Sequence, residues 1–194
     1  MFRLYIFDMG GVVSRNANVA PEFAEYLEFD GAKMIDSVRD DFTALTTGTI
    51  STEEFTRRFS ARSGRMIEEE LLIRFFDPEL DREVVAIIEG LKHQGRVVAG
   101  TNTIAPHYDV HQKRGDYDMF DAVYASQLIG LAKPDPAFYS YILDQERCLP
   151  GQAVFIDDVG DNVKAAERLG IHALLFTEAD QLKNDLSALE KSAT

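Results

Sequence analysis

The chain is poor in cysteine: Cys148 is the only one among 194 residues, so no disulfide can form within it. Such cysteine usage suits a reducing cytoplasm. Basic residues are also short, with 20 Lys and Arg against 33 Asp and Glu and a net charge of −13. That deficit argues against nucleic acid as a partner, because a nucleic-acid binder must neutralise many phosphates. It does not oppose one small anion, which needs only local positive charge. No stretch nears the ~18 apolar residues of a membrane span. The start, MFRLYIFDMG, meets an acid too early for a signal peptide. There is no internal repeat, no low-complexity tract, and no glycine-rich dinucleotide or P-loop fingerprint. These absences leave a cytoplasmic protein without membrane or nucleic-acid partners, either monomer or homodimer.

What is present is an ordinary globular balance, 45% hydrophobic and 27% charged. Five short apolar runs predict buried parallel strands: LYIF (4–7), VVAG (97–100), AVYA (122–125), AVFI (153–156) and ALLF (173–176). None shows the alternation of a half-exposed strand. Helical patterns separate most of them, including PAFYSYILDQERC and NVKAAERLG. Alternating strands and helices predict an α/β fold, a Rossmann-like parallel sheet with helices on both faces. Residues 15–80 differ. They carry only helical periodicity, with Ser51 and Glu54 fitting a capping box, and the run Glu68–Glu70 reads as a solvated helix face. The expected organisation is an α/β core of 1–14 and 81–194, with an all-helical cap of 15–80 inserted after the first strand.

In open α/β sheets, ligands bind beyond the carboxyl ends of the strands. There the chain carries Asp8, then Thr101 and Asn102, then Lys133, then Asp157 and Asp158. Three carboxylates at one edge would raise one another's pKa unless cations compensate. Lys133 supplies one positive charge, and a divalent metal would supply two. An oxygen-only donor set suits a hard cation, Mg²⁺ above others. A carboxylate nucleophile, a metal, a lysine and a hydroxyl–amide pair suit phosphoryl transfer.

These clusters, in this order, resemble the motifs of the haloacid dehalogenase superfamily of hydrolases. FDMGGVV is similar to the first motif, GTNT to the second, AKPDP to the third and FIDDVGDN to the fourth. The resemblance is closest to the branch holding bacterial α-glucose-1-phosphate phosphatases and the N-terminal phosphatase domain of soluble epoxide hydrolases. It implies that Asp8 is the nucleophile and forms an aspartyl-phosphate on a small phosphorylated metabolite. It implies that Asp8, the Gly10 carbonyl and Asp158 bind Mg²⁺, with Asp157 reaching the ion through a water. It further implies that Thr101, the Asn102 backbone and Lys133 hold the phosphate, and that Lys133 steadies Asp8. Asn162 is expected either to orient the FIDDVGDN loop or simply to open a helix.

Most phosphatases of this superfamily have a second aspartate where this chain has Gly10. Glycine cannot transfer a proton, and a positioned acid–base is worth ~10²–10⁴ in rate. The expected activity is therefore biased toward good leaving groups, such as sugar 1-phosphates, acyl phosphates or aryl phosphates. Two alternatives remain at this point: a metal-independent 2-haloacid dehalogenase, or a phosphate-binding regulatory protein. A phosphonate-cleaving role would need a cap lysine, and Lys33 is the only one there. His107 and His111 have i, i+4 spacing but lack the glutamate of a zinc protease, which favours a surface or interface role; His107 also lies near enough to line a pocket. Phe42, Phe55, Phe59, Phe75 and Phe76 read as cap core. Arg15 and Asn16 are the cap-side positions nearest Asp8.

Overall fold

The computed structural model describes residues 2–28 and 31–192, except for the side chains of 31–37 and 192. The central sheet is built from β1 (Leu4–Phe7), β4 (Arg96–Thr101), β5 (Ala122–Ala125), β6 (Ala153–Asp157) and β7 (His172–Leu175). Two further short strands, β2 (Ser14–Arg15) and β3 (Glu79–Leu80), pair with each other instead. The five sheet strands run parallel in the order β5-β4-β1-β6-β7. The predicted runs match these strands within a residue or two; the last lies one residue earlier than expected.

Continuous apolarity in β1 has a direct cause, because both faces of the sheet are covered. Tyr5 and Phe7 join Val97, Ala99, Val154 and Ile156 on one face, under α5 (Arg82–Leu91) and α10 (Ala179–Ser192). Leu4 and Ile6 join Val98 and Phe155 on the other, under α8 (Pro136–Gln145) and α9 (Gly160–Arg168). A strand with two buried faces needs no polar side chain until it ends, so its first acid marks the sheet's edge.

Between β2 and β3 lie α1 (Ala20–Tyr26), α2 (Gly31–Thr46), α3 (Thr52–Ser63) and α4 (Leu71–Arg74). The expectation that 15–80 holds no strand needs correction: Arg15 and Glu79–Leu80 belong to the antiparallel ribbon, Ser14 opposite Leu80 and Arg15 opposite Glu79. A two-residue ribbon has too little apolar alternation to be seen in sequence. It brings the entry and exit of the helical segment side by side. Asp81 follows, capping α5 by accepting from Glu83 N at 3.0 Å while its other oxygen accepts from Arg15 Nε at 3.1 Å. Arg15 is thereby committed to the ribbon.

Half of the anticipated capping box forms. Ser51 Oγ accepts from Glu54 N at 3.1 Å, but the Glu54 carboxylate turns to Arg57 and Arg58. Two further helices lie on the sheet side, α6 (Ala105–Arg114) and α7 (Ser126–Ile129). The helical segment docks on them through polar contacts. Ser126 Oγ, fully buried, donates to Thr46 O at 2.7 Å and accepts from Thr103 N at 3.0 Å. At Gly48, with φ +66°, a Cβ would lie 2.3 Å from Gln127 O, so only glycine permits this approach. No helix among the described residues is long and apolar enough to cross a membrane.

Candidate active site

Asp8 is the first residue past β1, and its N–H still donates to Ile156 O of β6 at 2.9 Å. The register aligning Phe7 with Ala99 and with Ile156 carries Asp8, Thr101 and Asp157 to one edge. The chain then turns sharply: Val12, Val13 and Ser14 N–H groups converge on Met9 O, and Gly11 N donates to Ser14 O. None of these bonds uses the Gly10 carbonyl.

Lys133 occupies the centre. Its fully buried Nζ lies 2.9 Å from Asp8 Oδ1 and 2.7 Å from Asp157 Oδ2. Asn102 holds the loop that delivers it: Oδ1 accepts from Lys133 N at 2.9 Å, and Nδ2 donates to Lys133 O at 2.8 Å. Both expectations for Asn162 hold together. It sits in the first turn of α9, and its Nδ2 donates to both Asp157 oxygens, at 3.0 and 3.1 Å. Asp157 Oδ1 also accepts from Val159 N at 2.8 Å. Thr101, 2% exposed, closes the end of β4.

Burial pushes the Asp8 carboxyl up, to about 7; Lys133 draws it down and the Asp157 charge raises it again. Burial disfavours the Lys133 charge, yet Asp8 and Asp157 together hold its pKa above the usual lysine value. Asp158 is raised by burial and by Asp157. The site thus has more negative charge than one lysine satisfies. Asp8, Asp157 and Asp158 each offer one carboxylate oxygen within 4.8 Å of the others. Three oxygen donors with a surplus of negative charge fit Mg²⁺.

Gly11, which sequence reading passed over, proves as constrained as any acid. Its φ is +81°, and a Cβ there would lie 2.1 Å from Asp158 Oδ2. A left-handed glycine thus makes the space in which the Asp158 carboxylate sits. The doublet in DMGG was the available signal. Asp8 Oδ1 is engaged by Lys133 and by Met9 N at 2.7 Å, whereas Oδ2 has no hydrogen bond among the described residues.

His111 is buried, whereas half-buried His107 sits where α6 meets the helical segment, an interface position as expected. His107 Nε2 pairs with Leu72 O at 2.7 Å, and its ring stacks on Phe76 at 3.8 Å. His111 Nδ1 faces Asp116 Oδ2 at 2.8 Å. Their polar partners differ although both rings contact Phe76, and neither joins the carboxylate cluster. The side chain of Lys33 lies outside the described residues. Asn16 adopts φ 56° just beyond the ribbon, a conformation asparagine tolerates.

Residues 2–170 match the haloacid dehalogenase-like hydrolase family, and the chain belongs to that family of hydrolases. Among curated proteins it is 37% identical over 103 residues to a sesquiterpene phosphatase of Aspergillus oryzae, covering 51% of this chain and 52% of that protein. It is 23% identical over 209 residues to the D-ribitol-5-phosphate phosphatase of Bacteroides thetaiotaomicron, covering 99% and 100%. The chain thus spans about half the length of the first relative and all of the second. A HAD family enzyme of Bacteroides thetaiotaomicron, solved with magnesium and inorganic phosphate, has the same fold at TM-score 0.76 and 20% identity, over 91% of this chain and 95% of that one.

Proposed function

We propose that this hydrolase is a Mg²⁺-dependent phosphatase that works through an aspartyl-phosphate on Asp8. The observation that carries this reading is the asymmetry of Asp8: Oδ1 is held by Lys133 and Met9 N, while Oδ2 is left without a hydrogen bond. Asp8 Oδ2 attacks phosphorus, the bond from phosphorus to the ester oxygen breaks, and that oxygen leaves with the electron pair. Water then attacks phosphorus, releasing inorganic phosphate and restoring the carboxylate. Lys133, Thr101 and the Asn102 backbone hold the phosphate oxygens. Asp8, the Gly10 carbonyl, Asp157 and Asp158 are the groups that would hold Mg²⁺, which supplies positive charge to the phosphoryl group. Residues 15–80 act as a cap over a core of 1–14 and 81–194.

Gly10 offers the departing oxygen no proton, so it must leave unaided or take one from solvent. Anomeric, acyl and aryl phosphates, including sugar 1-phosphates, are therefore favoured over simple alkyl esters. The two relatives' names, a ribitol-5-phosphate and a sesquiterpene phosphatase, span very different organic groups, and so leave the substrate class to this chain's own residues. The retained acids Asp157 and Asp158 favour phosphate over metal-independent dehalogenation.

The test is phosphate release from acetyl phosphate, p-nitrophenyl phosphate, glucose 1-phosphate and glucose 6-phosphate, with and without Mg²⁺. Release should require Mg²⁺ and fall at least 10³-fold in Asp8→Asn. Turnover that survives this substitution, or that ignores chelation, would sink the reading.

A further inference from the structure

A cavity of about 530 Å³ lies between the helical segment and the carboxyl edge of the sheet. That volume falls within the ~300–1,000 Å³ usual for small-molecule sites. Lys133 and Asn102 are on its wall, so it adjoins the carboxylate cluster. The opposite wall is made of Phe23, Val38, Phe42, Phe55, Phe59 and Leu72. The expectation that Phe42, Phe55 and Phe59 serve only as cap core is thus too narrow. They pack on one another, Phe42 on Phe55 at 6.3 Å and Phe55 on Phe59 at 6.1 Å, and together also line this space.

Besides the charged Arg39 and Lys133, several polar side chains on the wall already bond within the protein. Asn102 is bonded twice to the Lys133 backbone, and His107 to Leu72 O. Thr43 Oγ1 donates to Arg39 O, and Asn18 Oδ1 accepts from Ala20 N. Thr46 Oγ1 alone is buried without a partner among the described side chains of the wall. A sugar brings several hydroxyls that lose water on entry, and each one left unpaired costs binding free energy. An apolar group has no such requirement and gains from the phenylalanine wall.

Resting on the reading of Asp8 as the nucleophile, we infer that the substrate's organic group is apolar and occupies this cavity. The enzyme is then selective for hydrophobic phosphate monoesters, aryl esters foremost, over sugar phosphates. The aryl class satisfies both constraints: a phenolate leaves without a general acid, and the ring with any alkyl extension fills the apolar wall.

The experiment compares phenyl phosphate with 4-butylphenyl phosphate, whose leaving groups have nearly the same basicity, beside acetyl phosphate and glucose 1-phosphate. The butyl ester should be at least tenfold better in kcat/KM, on the order of what burying two methylenes provides. Phe42→Gln, at a half-exposed position, should reduce that ratio. In parallel, calorimetry with Mg²⁺ present compares phenylphosphonate with 4-butylphenylphosphonate, which reads the cavity independently of turnover; the butyl compound should bind at least tenfold tighter. Equal rates and equal affinities for the two aryl compounds, with acetyl phosphate still cleaved, would overturn the inference and leave the phosphatase intact. A preference for glucose 1-phosphate would overturn it as well. If no ester or acetyl phosphate is cleaved, the nucleophile reading fails, and the phosphonate affinities alone then decide whether the cavity is selective for apolar groups.

Discussion

At the scale of single residues, the two glycines after Asp8 do different work. Gly11 is held by sterics: its positive φ costs a non-glycine residue about 1–2 kcal/mol, and any Cβ would collide with Asp158. Gly10 has only a near contact, its Cβ position lying 3.1 Å from Ala17 Cβ. Gly11→Ala should therefore weaken Mg²⁺ binding at least tenfold by calorimetry, while Gly10→Ala changes it less than threefold. The same contact bears on regaining an acid. Gly10→Asp alone should gain little on glucose 6-phosphate, whereas Gly10→Asp with Ala17→Gly should gain tenfold or more, toward the ~10²–10⁴ of a positioned acid–base. A full gain from the single variant would show that Ala17 is no obstacle. Gly10 was legible as a missing acid because the motif pattern fixes where that acid would stand. Gly11 was not, because its constraint comes from a carboxylate 147 positions away in the chain.

At the scale of elements, α6 and the helical segment are joined by His107. Burial depresses its pKa to about 4 from the ordinary 6.5, despite the favourable bond to Leu72 O. The native protein therefore keeps this imidazole neutral while the unfolded chain takes up a proton below pH 6.5. The contribution is complete above pH 6.5 and shrinks as the pH falls toward 4. In thermal melts at pH 7 and pH 5, His107→Gln should lose about 3 °C less than the parent on acidification. An identical acid loss in both proteins would contradict that account. The strands were readable because two covered faces demand unbroken apolar runs. The β2–β3 ribbon was not, since two residues per strand leave no period to detect. Residues 68–76 were read as helical throughout, but helix forms only at Leu71–Arg74.

At the scale of the whole molecule, folding gathers three acids of a chain with net charge −13 around one buried lysine. Assembling like charges opposes the native state, and a bound cation relieves it. Mg²⁺ at ~100 times its Kd should stabilise the fold by about 2.7 kcal/mol, seen as a rise in Tm of roughly 5–10 °C. Asp158→Asn should remove most of that rise. An unchanged Tm in the parent protein would mean that the cluster holds no ion.

The sequence by itself determined the strand order along the chain and which residues stand at the strand ends. Both follow from local rules: a buried strand is apolar, and its chemistry begins where the apolar run stops. Asp8, Thr101 and Asp157 were therefore readable at one edge, whereas Lys133, in the loop beyond α7, was legible only through the AKPDP motif. Only the tertiary structure decided that Lys133 bridges two of the acids, that Gly11 makes room for Asp158, and that the phenylalanines of residues 20–60 surround a cavity as well as pack a core. Those facts depend on which side chains meet across long stretches of chain. A periodic pattern gives the side of a helix that is apolar, but not whether that side meets another element or encloses a space.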